Sequence, residues 1–194
     1  MKPTVVLVLL AAALACASAP PPVNHHLLRA EMQATSGRLD PEAKVGLGRL
    51  IVAPYLTGSQ GIVVETEPGV VRAARQHQWA EPMEAGIRAF VRAEVGRALG
   101  YPLTGSYLDR PDWDYRVDLA VDRLHGTMEG TAVLEARYRV TANAQPGRDG
   151  DYYFARSKPL PREGYKGVVD AEIALLKELS ASIANALREA IQAD

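Results

Sequence analysis

The chain has 194 residues, 47% of them apolar and 23% charged, with a formal net charge of −1. That length and composition describe one globular domain with appendages, able to bury a single core. Near-neutral charge excludes the broad basic surface that nucleic-acid binding needs, so no nucleic-acid partner is expected.

The first residues are not part of the fold. Lys2 precedes an apolar run from Val5 to Ala15, and eleven residues are too few to cross a bilayer as a helix. This is the pattern of a secretory signal peptide over residues 1–15. The run ends at Cys16, the only cysteine, which therefore has no internal disulfide partner. Ala13-Leu14-Ala15-Cys16 resembles a bacterial lipobox, with Ala13 where leucine is commonest. The resemblance makes Cys16 the lipidation site. Ala17 in place of an aspartate points to the outer membrane. Ordinary cleavage, releasing a soluble protein, is the alternative. Residues 16–22 end in three prolines and form a stiff, extended spacer.

The body, residues 23–194, is taken in order. Val23 onward gives a short first strand, and Ala43 to Leu56 a better one stopped by Pro54. Gly61 to Arg75 gives two strands around the Glu67-Pro68-Gly69 turn. From Met83 to Leu99 the apolar residues Met83, Ile87, Phe90, Val91, Val95 and Leu99 fall at helical spacing. Pro82 suits the first helical turn, Glu81 and Glu84 suit its positive end, and Gly100 suits its stop. Trp79 is expected just before the helix, packed on its first turns and the adjoining strands.

Asp114 to Leu124 alternates, with Tyr115, Val117, Leu119 and Val121 on one side and Arg116, Asp118 and Asp122 on the other. His125 to Gly130 is a hairpin connection. Thr131 to Val140 alternates again, with Glu135, Arg137 and Arg139 on the wet side. Tyr152 to Ser157 returns as a strand. Lys166 to about Ile191 is a long helix with a stripe of Val169, Ile173, Leu176, Ile183 and Leu187. The whole predicts an α+β two-layer sandwich: a mostly antiparallel sheet with two long helices on one face.

Four features resemble the ABC-type transport auxiliary lipoproteins, a PqiC-like family. They are the lipobox with its Pro-rich spacer, Val52-Ala53-Pro54-Tyr55-Leu56, Trp79-Ala80-Glu81-Pro82-Met83, and the paired alternating strands followed by the C-terminal helix. Trp79, Glu81 and Pro82 carry the most specific part. Thr57-Gly58-Ser59 departs from the Asp-Arg-Pro that often follows in the family. The resemblance implies a non-enzymatic lipoprotein on the periplasmic side of the outer membrane. Its implied partners are an MCE-domain periplasmic protein with an associated permease and ATPase. The rivals are a periplasmic lipid carrier and an outer-membrane assembly lipoprotein.

Chemistry is not expected. No His-Glu-x-x-His, Gly-x-Ser-x-Gly or phosphate-binding loop occurs, so no catalytic residue, cofactor or metal is assigned. His25 and His26 face opposite sides of a strand, and Asp109, Asp112 and Asp114 lack a calcium loop's glycine and distal glutamate. Arg137, Arg139 and Arg116 read as a wet sheet face balanced by Asp118, Asp122 and Glu135. Tyr152, Tyr153 and Phe154 form a candidate interface: alternation sends Tyr153 one way and its neighbours the other. Packing under the preceding loop is equally open, as is a homo-oligomer.

Overall fold

The computed structural model describes residues 21–30, 43–103, 113–143 and 148–192. The strands are β1 (Asn24–His26), β2 (Val45–Val52), β3 (Gly61–Glu67), β4 (Val70–Trp79), β5 (Tyr115–Thr127), β6 (Thr131–Ala142) and β7 (Gly150–Pro159). The helices are α1 (Pro54–Thr57), α2 (Met83–Leu99) and α3 (Gly164–Gln192). The strands lie in the order β1-β4-β3-β5-β6-β7, with β2 also on β5. The fold is α+β, and its open sheet carries α2 and α3 on one face.

The longest ladders are the antiparallel ones, β5 with β6 and β6 with β7. The sheet is nevertheless mixed, because β1 runs parallel to β4, and β2 and β3 both run parallel to β5. The two share one edge of β5: β2 takes its first half and β3 its last residues. No sequence signal marks these pairings, since they join segments far apart in the chain.

Alternation makes the strands amphipathic. Tyr115, Val117, Leu119 and Val121 are buried, as are Leu134, Ala136, Tyr138 and Val140 opposite. A register shift falls between Val121 and Arg123, after which Leu124, His125 and Gly126 are buried in succession. Strand β5 therefore continues through His125 to Thr127, where the sequence gives a connection. Helix α2 buries Met83, Ile87, Phe90, Val91 and Val95 against the sheet and α3. Each large apolar side chain taken fully from water contributes about 1.5–3 kcal/mol. Pro82 is the N-cap of α2 rather than a residue of its first turn, and its carbonyl accepts the Gly86 N–H at 3.0 Å. Gly100 ends α2 in the left-handed conformation (φ 86°), donating its N–H to the carbonyls of Gly96 and Arg97.

Helix α3 begins at Gly164, two residues before Lys166, and buries Val169, Leu176, Leu179, Ile183 and Leu187. Ile173 is only half-buried, whereas Glu172 is 1% exposed. Burial alone pushes the Glu172 carboxyl well above the ordinary carboxylate range.

Gly46 in β2 is required by packing. A Cβ there would lie 2.0 Å from the Trp113 ring, which covers this glycine. Gly46→Val is expected to displace Trp113 and lower stability by about 1–3 kcal/mol. Urea unfolding read by tryptophan emission checks this, and an unchanged midpoint with unchanged emission would remove Trp113 from that position.

Candidate functional site

The sheet face away from the helices carries an open hollow of about 500 Å3. The pleat builds it. Ile51 of β2, Ala120 of β5, Arg137 of β6 and Tyr153 of β7 are register partners in turn, so their side chains form one row across four strands. The next row on the same face holds Asp118, Arg139 and Asp151, also successive partners, with Arg49 beside Asp118. Ile51 and Tyr153 stand 48% and 66% exposed, and both line the hollow.

Charge on this face is mostly internally matched. Arg137 grips Asp122 with two bonds of 2.8 Å, and Arg139 grips Asp151 at 2.7 and 2.6 Å. These guanidinium bonds hold both aspartates below the ordinary carboxylate range. Arg116 pairs with Asp118 at 2.9 Å, whose other oxygen accepts the Arg49 N–H at 2.7 Å. The Arg49 guanidinium has no acidic partner among the described residues. The face thus offers an apolar centre, a rim of fixed ion pairs and, among the described residues, one cation without an acidic partner. That suits recognition of another surface.

The aromatic triplet separates as its alternation predicts. Phe154 is buried, Tyr152 stacks on Tyr138 with ring centres 4.8 Å apart at the edge of the hollow, and Tyr153 stands in it 66% exposed. The hollow's β2 side, Arg49 and Ile51, was not recognised from sequence, because it depends on the parallel β2–β5 pairing. Exposure of alternate residues after the Gly46–Gly48 stretch is the only local hint.

Trp79, Glu81 and Pro82 lie elsewhere and form a clasp. Trp79 is the last residue of β4 and 4% exposed, and its N–H donates to the Gln60 carbonyl at 2.7 Å. It pairs with His26 of β1, and the next residue, Ala80, donates to the His26 carbonyl. Glu81 accepts two bonds from Arg29, just beyond β1. Pro82 then opens α2. The signature joins β1, β4 and α2 and is structural in its contacts.

Tyr55 has a similar office. Its hydroxyl accepts the Leu124 N–H at 3.2 Å and meets His125 Nδ1 at 2.9 Å, and His125 Nε2 meets Glu65 at 3.2 Å. The chain resembles a catalytic relay only in outline. His125 is 3% exposed, and burial pushes its imidazole below the ordinary value against the pull of Glu65. The Tyr55 hydroxyl is bonded on both sides, so the array pins α1 to β5.

Cys16, Asp109 and Asp112 lie outside the described residues, while Asp114 accepts the Lys44 N–H at 2.8 Å. His26 contacts His77 at 3.2 Å, and among the described residues no group of three or more ligands could hold a metal. No helix among them is long and apolar enough to cross a membrane.

A family model described as the ABC-type transport auxiliary lipoprotein component matches residues 26–184. The chain belongs to this family. The match runs from β1 into the middle of α3, so it takes in the clasp, the Tyr55 pin and the open face. Solved structures agree on the fold of the auxiliary lipoprotein component. An uncharacterized protein superposes with a TM-score of 0.70 at 19% identity, covering 85% of this chain and 98% of its own. A protein from Xanthomonas campestris assigned to family DUF330 gives 0.63 at 15% identity, covering 81% and 96%. No curated protein matches the chain significantly.

Proposed function

We propose that this auxiliary lipoprotein component is held at the periplasmic side of the outer membrane by lipid on Cys16. There it docks an MCE-domain protein of an intermembrane lipid transport system, with its permease and ATPase. Family membership supports the auxiliary role. The observation that carries the docking role is the open sheet face, where Ile51 and Tyr153 stand exposed beside a 500 Å3 hollow. A lipid carrier needs a concave, mostly apolar pocket that buries most of its ligand. This hollow instead opens on the face opposite α2 and α3, and ion pairs rim it.

Two variants test the reading. Cys16→Ala, exported behind a cleavable signal, should fold with unchanged melting temperature, leave the membrane fraction and fail to restore outer-membrane impermeability in a deletion strain. Tyr153→Asp, already largely in water, should shift stability by no more than about 0.5 kcal/mol while abolishing capture of the MCE-domain partner. Full complementation by the soluble form would remove the anchor from the mechanism. Undiminished capture by Tyr153→Asp would remove the open face.

A further inference from the structure

Two hairpin tips meet at one end of the sheet, and both expose apolar side chains. The β3–β4 tip carries Val70 and Val71, 43% and 40% exposed, and the β5–β6 tip carries Met128, 67% exposed. They are neighbours. Glu65 of β3 is the register partner of Val71 on one side and of Thr127 on the other. At the ordinary strand spacing, Met128 therefore stands about 10 Å from Val71 across a single strand. A bond from the Leu160 N–H to the Gly130 carbonyl, 2.9 Å long, ties the second tip to the end of β7. Among the described residues nothing buries these three side chains, and neither tip lines the hollow described above, which lies on the opposite half of β5.

The direction of β1 relates these tips to the N-terminus. Strand β1 is parallel to β4, with Asn24 opposite His77. Residues preceding Asn24 therefore lead back toward the start of β4, which is the first tip. The length of chain between Cys16 and Asn24 suffices for that reach. Eight residues from Cys16 to Asn24 reach about 25 Å when extended in the Pro-rich conformation. The seven steps from Val70 to His77 span about 23 Å. A lipid on Cys16 can thus lie level with the tips while β1 stays in its sheet.

We propose that the Val70–Val71 and Met128 tips seat on the lipid surface, as a second, non-covalent contact that fixes the body upright on its anchor. This rests on Cys16 being the membrane attachment. The contact is apolar rather than electrostatic, because the tip segments carry Glu67 and Glu129 against one cation, Arg72, and so present no net positive charge to an anionic headgroup. A zwitterionic, phosphatidylethanolamine-rich surface fits them. Seated this way, the open face stands clear of the membrane, at the far half of the sheet.

The test separates the tips from the cellular fate of Cys16. The mature chain beginning at Cys16 is coupled through its only thiol to maleimide-bearing lipid in phosphatidylethanolamine–phosphatidylglycerol vesicles. Hydrogen exchange is then compared with the free chain. Segments 66–72 and 126–131 should exchange roughly tenfold more slowly on vesicles, the change that about 1.4 kcal/mol of protection produces. The slowing should persist at about 1 M salt, where the screening length is only about 3 Å. The double variant Val70→Asp/Met128→Asp should lose it while keeping its melting temperature. Unchanged exchange at both tips, or protection centred on residues 49–51 and 151–153 instead, would overturn the proposal. The mass of the Cys16 peptide from cells reports separately whether the anchor itself exists.

Discussion

Trp79→Ala is expected to lower the free energy of unfolding by about 3–5 kcal/mol, a large share of the roughly 5–15 kcal/mol that holds a domain together. The indole is almost wholly buried where β4 ends and α2 begins. The surrounding elements are tied by main-chain bonds to Gln60 and His26, so they cannot collapse into the space left behind. Loss of β1 should accompany the loss of stability, because the His26–Trp79 pairing is one of only three that hold that strand. Thermal and urea unfolding measure the first effect, and hydrogen exchange at residues 24–29 the second. A variant that kept its melting temperature yet lost partner capture would make Trp79 a contact residue.

Glu172 should set the largest pH dependence above pH 5. Burial pushes its carboxyl well above the ordinary range, and among the described residues its Oε2 has no hydrogen-bond partner. The folded-state pKa is raised, so the unfolded chain releases this proton first. Its stabilising contribution is therefore complete below the unfolded carboxylate value and is lost as pH rises toward the folded one, at up to about 1.4 kcal/mol per pH unit. Glu65, Asp122 and Asp151 act in the opposite sense, but their lowered values confine them to more acid conditions. His26 and His125, also lowered, favour the fold as pH rises to about 6.5, so the clean window lies above that. Glu172→Gln should flatten the fall in stability that the raised carboxyl produces as pH rises above the ordinary carboxylate range. Parallel urea midpoints for the two proteins across that window would show that Glu172 is already ionised in the fold.

What the sequence revealed and what it hid follow from the range of the interactions involved. The alternation of β5 and β6 and the stripe of α2 are local patterns, and they placed the core correctly. The same rule sets Tyr153 on the opposite side of β7 from Phe154. Trp79 was placed beside α2, yet it belongs to β4, because the polar run Arg75-Gln76-His77-Gln78 masks a strand whose neighbours, β1 and β3, are supplied from elsewhere. The stripe of α3 likewise favoured Ile173 over Glu172, since periodicity counts apolar residues and has no place for a carboxyl buried by its neighbours. Half of the candidate face stays hidden for a related reason: Ile51 joins the row that ends at Tyr153 only because β2 pairs in parallel with β5, which β6 and β7 then extend antiparallel.

The parallel seating of β1 also bears on mechanical load. On the proposed attachment through Cys16, the body would be pulled at its N-terminus whenever a docked partner moved relative to the membrane. Because β1 lies along β4 with its beginning toward the tether, that pull runs along the strand and loads its three pairings in shear, together rather than one at a time. Behind them, Leu28 is buried against Gly86 of α2, and Arg29 is clamped to Glu81. Force entering at the tether is thus taken up by the clasp and passed to α2. Ile51 and Tyr153 stand outside that line of strain, so the face can keep its shape while the tether is taut.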